Sequence, residues 1–557
     1  MSWESTKRTR HGLGWLLVLL SIAFVWTGNP LLGAGEVAAA AKAGDLAAVR
    51  KLIAERVDVN SPERDGSTAL LWAAYNNDAE MAKALLAAGA TVDAANRYGV
   101  TPLLQASRTG DAAVMEVLLN AGANPTATYP EGETPLMAAA RSGRVEAVRL
   151  LTARGADVNQ PGGIEQQTPL MWASLEGHLD VVRSLLEAGA NPNLKAKTTD
   201  LTKREHGDHP SGGFTPVMFA VRNGHTEIVR ELVRGGADLK LTNGDENNGL
   251  LGATAAIVAI VNDRFDLAAE LIEMGSDPND GSLYFAVDMH DATTDMRARD
   301  GSLLRWDFPN KLGALDLVKL LLDKGADPNK PFVGQLHSTS MCCGDFHNAT
   351  PFYRAAIAAD VEALKLLVAK GANVEWAPNE VKLPEGVSGG RGANANAYRQ
   401  PIYVAMRGGR GAPLAAGPGF TRIGPPPFRE ASNRSTVDAV KVLLEAGADP
   451  NAWGPEQGTP LHQAVENRAE LDIIRALVAA GADLNYPNVE GLTPLQLAEK
   501  PAPARGRGAA VAAGDPDQPA DTRPTKDQIA ALLRELSGLP PAAADAPAAP
   551  AAQGGAQ

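Results

Sequence analysis

Apolar and polar positions recur along this chain in blocks about 33 residues long. Four consecutive blocks, STALLWAAYNNDAEMAKALLAAGATVD, VTPLLQASRTGDAAVMEVLLNAGANP, ETPLMAAARSGRVEAVRLLTARGADVN and QTPLMWASLEGHLDVVRSLLEAGANPN, follow one another without interruption. Their threonines, Thr68, Thr101, Thr134 and Thr168, step by 33, 33 and 34 residues, and Gly89, Gly122, Gly155 and Gly189 keep the same steps. The pattern returns as FTPVMFAVRNGHTEIVRELVRGGADLK, ATPFYRAAIAADVEALKLLVAKGANVE and GTPLHQAVENRAELDIIRALVAAGADLN.

Each block predicts two short helices. A Thr hydroxyl caps the first, with Pro at the first helical position, where a missing N–H costs nothing. Leu and Ala then make a thin helix, and Gly or Asn about nine residues on turns the chain. In the second helix Val148, Leu150 and Leu151, like Val182, Leu185 and Leu186, form an apolar face at helical spacing. Gly155 or Gly189 suits the left-handed position that ends it, and the Ala-Asp-Val-Asn segment that follows predicts a turn. Helices this short cannot bury their apolar faces alone, so the blocks must stack on one another as a solenoid.

The motif T-P-L-x-x-A, then G-H, then V-x-x-L-L, then G-A-D-x-N resembles the ankyrin repeats, about a dozen of them over roughly residues 36–536. The resemblance implies an all-α ankyrin-repeat solenoid of helix-turn-helix units with β-hairpin finger loops. The first unit, EVAAAAKAGDLAAVRKLIAERVDVN, lacks T-P-L and has Arg56 at the usual Gly position, as an N-terminal capping repeat would.

Later glycines, Gly236, Gly275, Gly325, Gly371, Gly447 and Gly481, step by 47, 39, 50, 46, 76 and 34 residues. The excess locates long insertions in the middle repeats. Those at 195–212, 331–348 and 376–399 lengthen fingers, whereas 288–312 and 407–435 fall between the helices of one repeat, and 501–524 splits the last one. The expected organisation is an N-terminal array over 36–330, the finger insertion 331–348, a C-terminal array over 349–536 and a Pro/Ala-rich tail over 537–557.

Residues 1–35 differ from the rest. Lys7, Arg8 and Arg10 precede an apolar run from Leu13 to Trp26, and small residues Gly33, Ala34 and Gly35 follow. This is the pattern of a secretory signal peptide, with an uncleaved N-terminal anchor as the alternative. The expectation is an exported, bacterial-type protein, periplasmic or extracellular, with no stable membrane insertion after cleavage. A net charge of -13 over 557 residues argues against general nucleic-acid binding, which needs clustered Lys and Arg.

Candidate chemistry is sparse. The stretch HSTSMCCGDFHNATPFY carries His337, Cys342, Cys343 and His347, a donor set for zinc by residue type. Adjacent cysteines fit a tetrahedral site poorly, and a vicinal disulfide or two buried thiols are the other readings. Asp288, His290, Asp291 and Asp295 form an acid-rich group assigned to a solvated or cation-touching loop. The usual haem, nucleophile-elbow, zincin and phosphate-loop motifs are absent, so no catalytic residue and no cofactor are expected. A metal-dependent or enzymatic factor seated in 288–312 and 331–348 is the alternative reading. His178, His225 and His462 occupy G-H and T-P-L-H positions and read as structural.

The resemblance implies instead a non-catalytic scaffold, monomeric, that binds a protein partner on the concave face made by finger tips and first-helix ends. Carried onto this sequence, that face comprises Arg64, Asp65, Tyr75, Asn76, Arg97, Tyr98, Arg108, Arg141, Leu175, Glu176, Phe214, Arg222 and Asn223, with Glu133, Val489 and Glu490 near it. Arg108, Arg141 and Arg222 hold equivalent places and suggest a cationic stripe flanked by Tyr75 and Tyr98; a plain solvated helix position is the other reading.

Overall fold

A computed structural model describes residues 35–197, 212–244, 252–291, 310–332, 349–376, 400–406, 435–454, 458–500 and 523–540. These divide into two units, one drawn from Met1–Ala106 and Ala113–Asn124, the other from Ser107–Ala112 and Pro125–Gln557.

The first unit contains α1 (Glu36–Lys42), α2 (Leu46–Ala54), α3 (Ala69–Tyr75), α4 (Ala79–Ala87) and α6 (Ala112–Asn120); α5 (Pro102–Thr109) contributes to both units. The second begins with α7 (Pro135–Arg141), α8 (Val145–Ala153), α9 (Pro169–Glu176), α10 (Leu179–Glu187), α11 (Pro216–Asn223) and α12 (Thr226–Arg234). It continues through α13 (Ala255–Val261), α14 (Phe265–Glu273), α15 (Ser282–Asp291), α16 (Ala314–Asp323), α17 (Pro351–Ala358) and α18 (Val361–Ala369). It ends with α19 (Pro401–Ala405), α20 (Thr436–Glu445), α21 (Pro460–Glu466), α22 (Leu471–Ala479), α23 (Pro494–Glu499) and α24 (Lys526–Leu536). Within each unit, consecutive helices pack as hairpins and each hairpin packs on the next.

Local chemistry sets the helix ends. Thr68, Thr134, Thr168, Thr254 and Thr350 each accept the N–H three residues on, and Pro follows at Pro135, Pro169 and Pro351. Asp45, Asp78 and Asp360 cap second helices in the same way. Gly155 closes α8 at φ 84°, and Arg56 holds the equivalent left-handed position at φ 59°. The core is thin: Leu136, Met137 and Ala138 to Ala140 on α7 meet Val148 and Leu151 on α8, all essentially sealed from solvent. Burial of one such Leu or Val contributes about 1.5–3 kcal/mol.

The expected β-hairpin fingers form no strands among the described residues. In one finger Gly162 and Gln167 form an isolated antiparallel bridge. Three other fingers close as five-residue turns, with Glu63 N–H donating to the Ser67 carbonyl, Asn96 to Val100 and Tyr129 to Glu133, whereas longer ones close from Ala196 N–H to Phe214 and from Asn243 N–H to Ala253. In the five-residue turns too few residues lie beyond the closing bond for a ladder to extend.

What ties finger to finger is a repeated asparagine clamp. Asn193 Nδ2 donates to the Gly236 carbonyl at 3.0 Å, while its Oδ1 accepts Asp238 N–H at 2.7 Å. Asn60, Asn159, Asn279, Asn329 and Asn451 reach their own next repeat similarly. The clamp satisfies a helix-terminal carbonyl and a loop N–H with one side chain.

The insertion proposed at 288–312 begins later than its sequence suggested. Asp288 and His290 belong to α15, whose Leu283, Phe285, Ala286, Val287 and Met289 are buried. They are not part of a solvated loop: Arg354 on α17 donates from Nε to Asp288 Oδ1 at 2.6 Å, and His290 pairs through Nδ1 with Asp360. Helical packing of α15 against α17 carries these charges inside. No helix among the described residues is long and apolar enough to cross a membrane.

His462 shows how a repeat position sets pH behaviour. The ring is buried on α21; Nδ1 accepts Thr459 N–H at 3.1 Å and Nε2 donates to the Leu492 carbonyl at 3.0 Å. Accepting a backbone N–H requires the neutral ring, and burial pulls its pKa below the ordinary value. Stability tied to His462 is therefore complete above about pH 6.5, the unfolded-state pKa, and is lost as pH falls below it toward the lower folded value. Thermal melts from pH 8 to pH 5.5 should show a fall in the C-terminal repeats that His462→Gln flattens. An unaltered slope in that variant would reject the assignment.

Candidate partner-binding surfaces

In the first unit the predicted residues divide by exposure. Tyr75, at the end of α3, and Tyr98, at the tip of the next finger, are 56% and 62% exposed. Arg64 and Arg97 are also exposed. Tyr98 stands out because Asn96 Oδ1 accepts the N–H groups of both Tyr98 and Val100, which sets the turn beneath it. Asp65 accepts the Ser67 N–H and hydroxyl at 2.9 Å each, and the backbone bond holds its carboxyl below the ordinary range. Asn76, also exposed, reaches back to the preceding repeat, donating from Nδ2 to the Ala41 carbonyl at the end of α1. Next to it Lys42 lies over the Trp72 ring and pairs with Glu63 at 3.1 Å.

In the second unit the arginines are not an unpaired cationic stripe. Arg108 and Arg141 share Glu133, which is mostly buried between them, at 2.5 and 3.6 Å. Arg108 stacks over Tyr129 and Arg141 over Trp172. Arg222 lies over Phe214 and Phe219, and burial pulls its guanidinium below the ordinary value. Phe214 is therefore not a finger-tip contact: its ring packs edge-on against Phe219 beneath the arginine and is buried. Leu175 interrupts the arginine series, half-buried, beside exposed Glu176.

The helix-end carbonyls at these positions are capped from the following repeat. His178 Nε2 reaches the Arg141 carbonyl at 3.0 Å, His225 Nε2 and Asn223 Nδ2 reach that of Leu175, and Arg264 Nε reaches that of Arg222. Such bonds fix the main chain under each presented side chain.

One exposed group escaped the sequence reading. Trp453 and Tyr486, on successive fingers, place their rings 5.8 Å apart and remain 48% and 40% exposed beside exposed Val489 and Glu490. Aromatic residues just after two consecutive G-A-D-x-N turns were the available signal. His337, Cys342, Cys343 and His347 lie outside the described residues, as do Asp295 and most of the long insertions. Among the described residues no group of three or more His, Cys, Asp or Glu side chains is placed to hold a metal ion.

Profiles of ankyrin repeats match residues 37–129, 122–196 and 199–282, and a second ankyrin-repeat profile matches 443–498. Similar solved structures include the human ASB11 ankyrin repeat domain, at 29% identity over 40% of this chain and 90% of that one, with a TM-score of 0.34. Another is the ankyrin repeat domain of Bcl-3, described as a unique member of the IkappaB protein family. It is 26% identical over 43% of this chain and 97% of that one, with a TM-score of 0.35. No curated protein matches the chain. Paired helices, Thr-capped and Gly-closed at a period of about 33 residues, together with profile matches at both ends of the array, lead to one assignment: the chain belongs to the ankyrin repeat family.

Proposed function

We propose that this protein is a non-catalytic scaffold that binds a protein partner through the exposed finger tips and first-helix ends of its repeats, without a cofactor. Ankyrin repeats generally mediate protein–protein interaction, and the observation that carries the reading here is the exposure of Tyr75 and Tyr98 in the first unit. Tyr rings beside Arg are typical anchors of binding energy, and they immobilise with little loss of side-chain freedom. Within the second unit, Arg108 and Arg141 present pre-ordered cations of their own, because stacking and Glu133 already hold them. Pre-ordering lowers the entropy cost of association.

Export to a periplasmic or extracellular space belongs to the same reading. A protein recovered from its own cells with its first residue near Glu36 supports it; an intact Met1 overturns that part alone.

The decisive test is affinity capture from the native compartment, with partners identified by mass spectrometry. Tyr75→Ser/Tyr98→Ser should weaken capture of the same partner at least ~10-fold. The variant's stability should stay within ~1 kcal/mol, since both residues are more than half exposed and Tyr75 gives up only an edge-on contact with the Trp72 ring. Unchanged capture would reject these residues as the contact. Stoichiometric metal in the purified protein, lost on Cys342→Ser/Cys343→Ser, would favour a metal-dependent factor instead.

A further inference from the structure

The fingers following α12, α14 and α16 enclose a cleft of about 350 Å³ within the second unit, a volume in the range of small-ligand sites. Leu239, Leu283, Pro331 and the stacked rings of Tyr284 and Phe332 form its apolar wall, the rings 5.7 Å apart and inclined by 22°. Gly281 makes the ring position possible. A Cβ there would come within 2.5 Å of Phe332 Cδ2, and its φ of 111° already disfavours a side chain.

Asp280 lines the same cleft. Its Oδ1 accepts Ser282 N–H at 2.8 Å and its Oδ2 accepts the Thr254 hydroxyl at 2.5 Å, so both of these donors are neutral. Among the described residues the other charged lining groups are Lys240, Lys330, Asp277 and Asp327, all exposed. Two lysines offset two turn aspartates, which leaves the Asp280 charge as the excess.

We propose that this cleft binds a guanidinium or primary ammonium group on an aliphatic stem, the cation on the Asp280 carboxylate and the stem along Tyr284 and Phe332. A charge-assisted bond in a sheltered site and aromatic faces beside it are the two features that select organic cations. Asp65 sits in the matching turn of another finger. There the turn bond from Ser67 lowers the carboxyl pKa, whereas at Asp280 burial outweighs the matching bonds and raises it. A bound cation favours the ionised form, so binding releases protons and weakens as pH falls through the raised pKa. The inference does not rest on the partner reading for Tyr75 and Tyr98.

Titration calorimetry on the full-length chain tests it, with n-butylguanidinium and n-butylammonium as probes and n-pentanol as the neutral control. Both cations should bind at least ~10-fold more tightly than pentanol, with an affinity that falls as the pH is lowered. Asp280→Asn keeps an acceptor for Ser282 N–H and should weaken both cations at least ~10-fold while leaving pentanol unchanged. Lys240→Glu, on the exposed rim, should tighten cation binding several-fold, and it serves where Asp280→Asn fails to fold. Equal affinity for pentanol, indifference to both substitutions, or no binding of either cation would overturn the proposal. An acetyl-Gly-Arg-Gly-amide probe separates the sources of the cation. Affinity matching butylguanidinium assigns an arginine side chain of a protein, and rejection of the peptide assigns a free small amine.

Discussion

Replacing Arg354 with methionine is expected to destabilise the repeats formed by α15 to α18 by about 3–5 kcal/mol. Arg354 and Asp288 are each only 6% exposed at the side chain, and the guanidinium Nε lies 2.6 Å from the carboxylate. Removing the cation leaves a carboxylate in a site built among Leu283, Phe285, Phe352 and Tyr353, where water cannot solvate it. The pair itself is a different matter. Its two desolvation costs nearly cancel its Coulomb attraction, so Asp288→Leu/Arg354→Met should recover most of the loss. Urea unfolding of the wild type, both single variants and the double variant gives the coupling energy directly. A single variant within ~0.5 kcal/mol of wild type would show that the charges are not sealed from solvent. A double variant worse than either single one would show that the pair contributes more than mutual compensation.

These same residues mark where sequence reasoning reached its limit. Thr68, Thr134, Thr168 and Thr350 were legible as caps because a hydroxyl acts on its own helix three residues away. Gly155 and Gly189 were legible because left-handed backbone is a local demand. Asp288 was not, because its partner lies 66 residues away and its helix begins at Gly281-Ser282 without the usual Thr-Pro. A signal existed all the same. Arg354 stands at the helix position occupied by Trp72 and Trp172 in other repeats, while Asp288 stands at that of Arg108 and Arg141. Two complementary departures in facing repeats point to a compensating pair. Phe214 misled for a related reason: finger-tip register predicts exposure, but Phe219 and Arg222 supply a local platform that covers the ring. The profile matches likewise stop at residue 282 and resume at 443, the stretch that holds four of the long insertions and the buried Asp288–Arg354 pair.

The second large effect is expected from the asparagine clamps, which the sequence presented only as turns. Asn193, Asn329 and Asn451 each donate to a glycine carbonyl of the following repeat, at 3.0, 2.9 and 2.9 Å. Each also accepts the N–H two residues beyond that glycine, at 2.7, 2.6 and 2.7 Å. Alanine removes both bonds and leaves two half-covered backbone groups, at about 1–2 kcal/mol per clamp. The three sites lie on different fingers, so the triple variant should lose about 3–6 kcal/mol. Where the loss falls matters more than its sum. Each helical hairpin keeps its own caps and core, and what weakens is its coupling to the next hairpin. In a repeat array that coupling term makes unfolding cooperative. The triple variant should therefore melt over a wider range of urea, with a lower m-value and with hydrogen exchange no longer uniform across the second unit. Aspartate at the same positions keeps the acceptor but loses the donor and sets a carboxylate against the glycine carbonyl, so it should be no better than alanine. A sharp, unshifted transition in the alanine triple variant would mean that apolar stacking alone couples the repeats, and that the clamps follow the fold without helping to hold it.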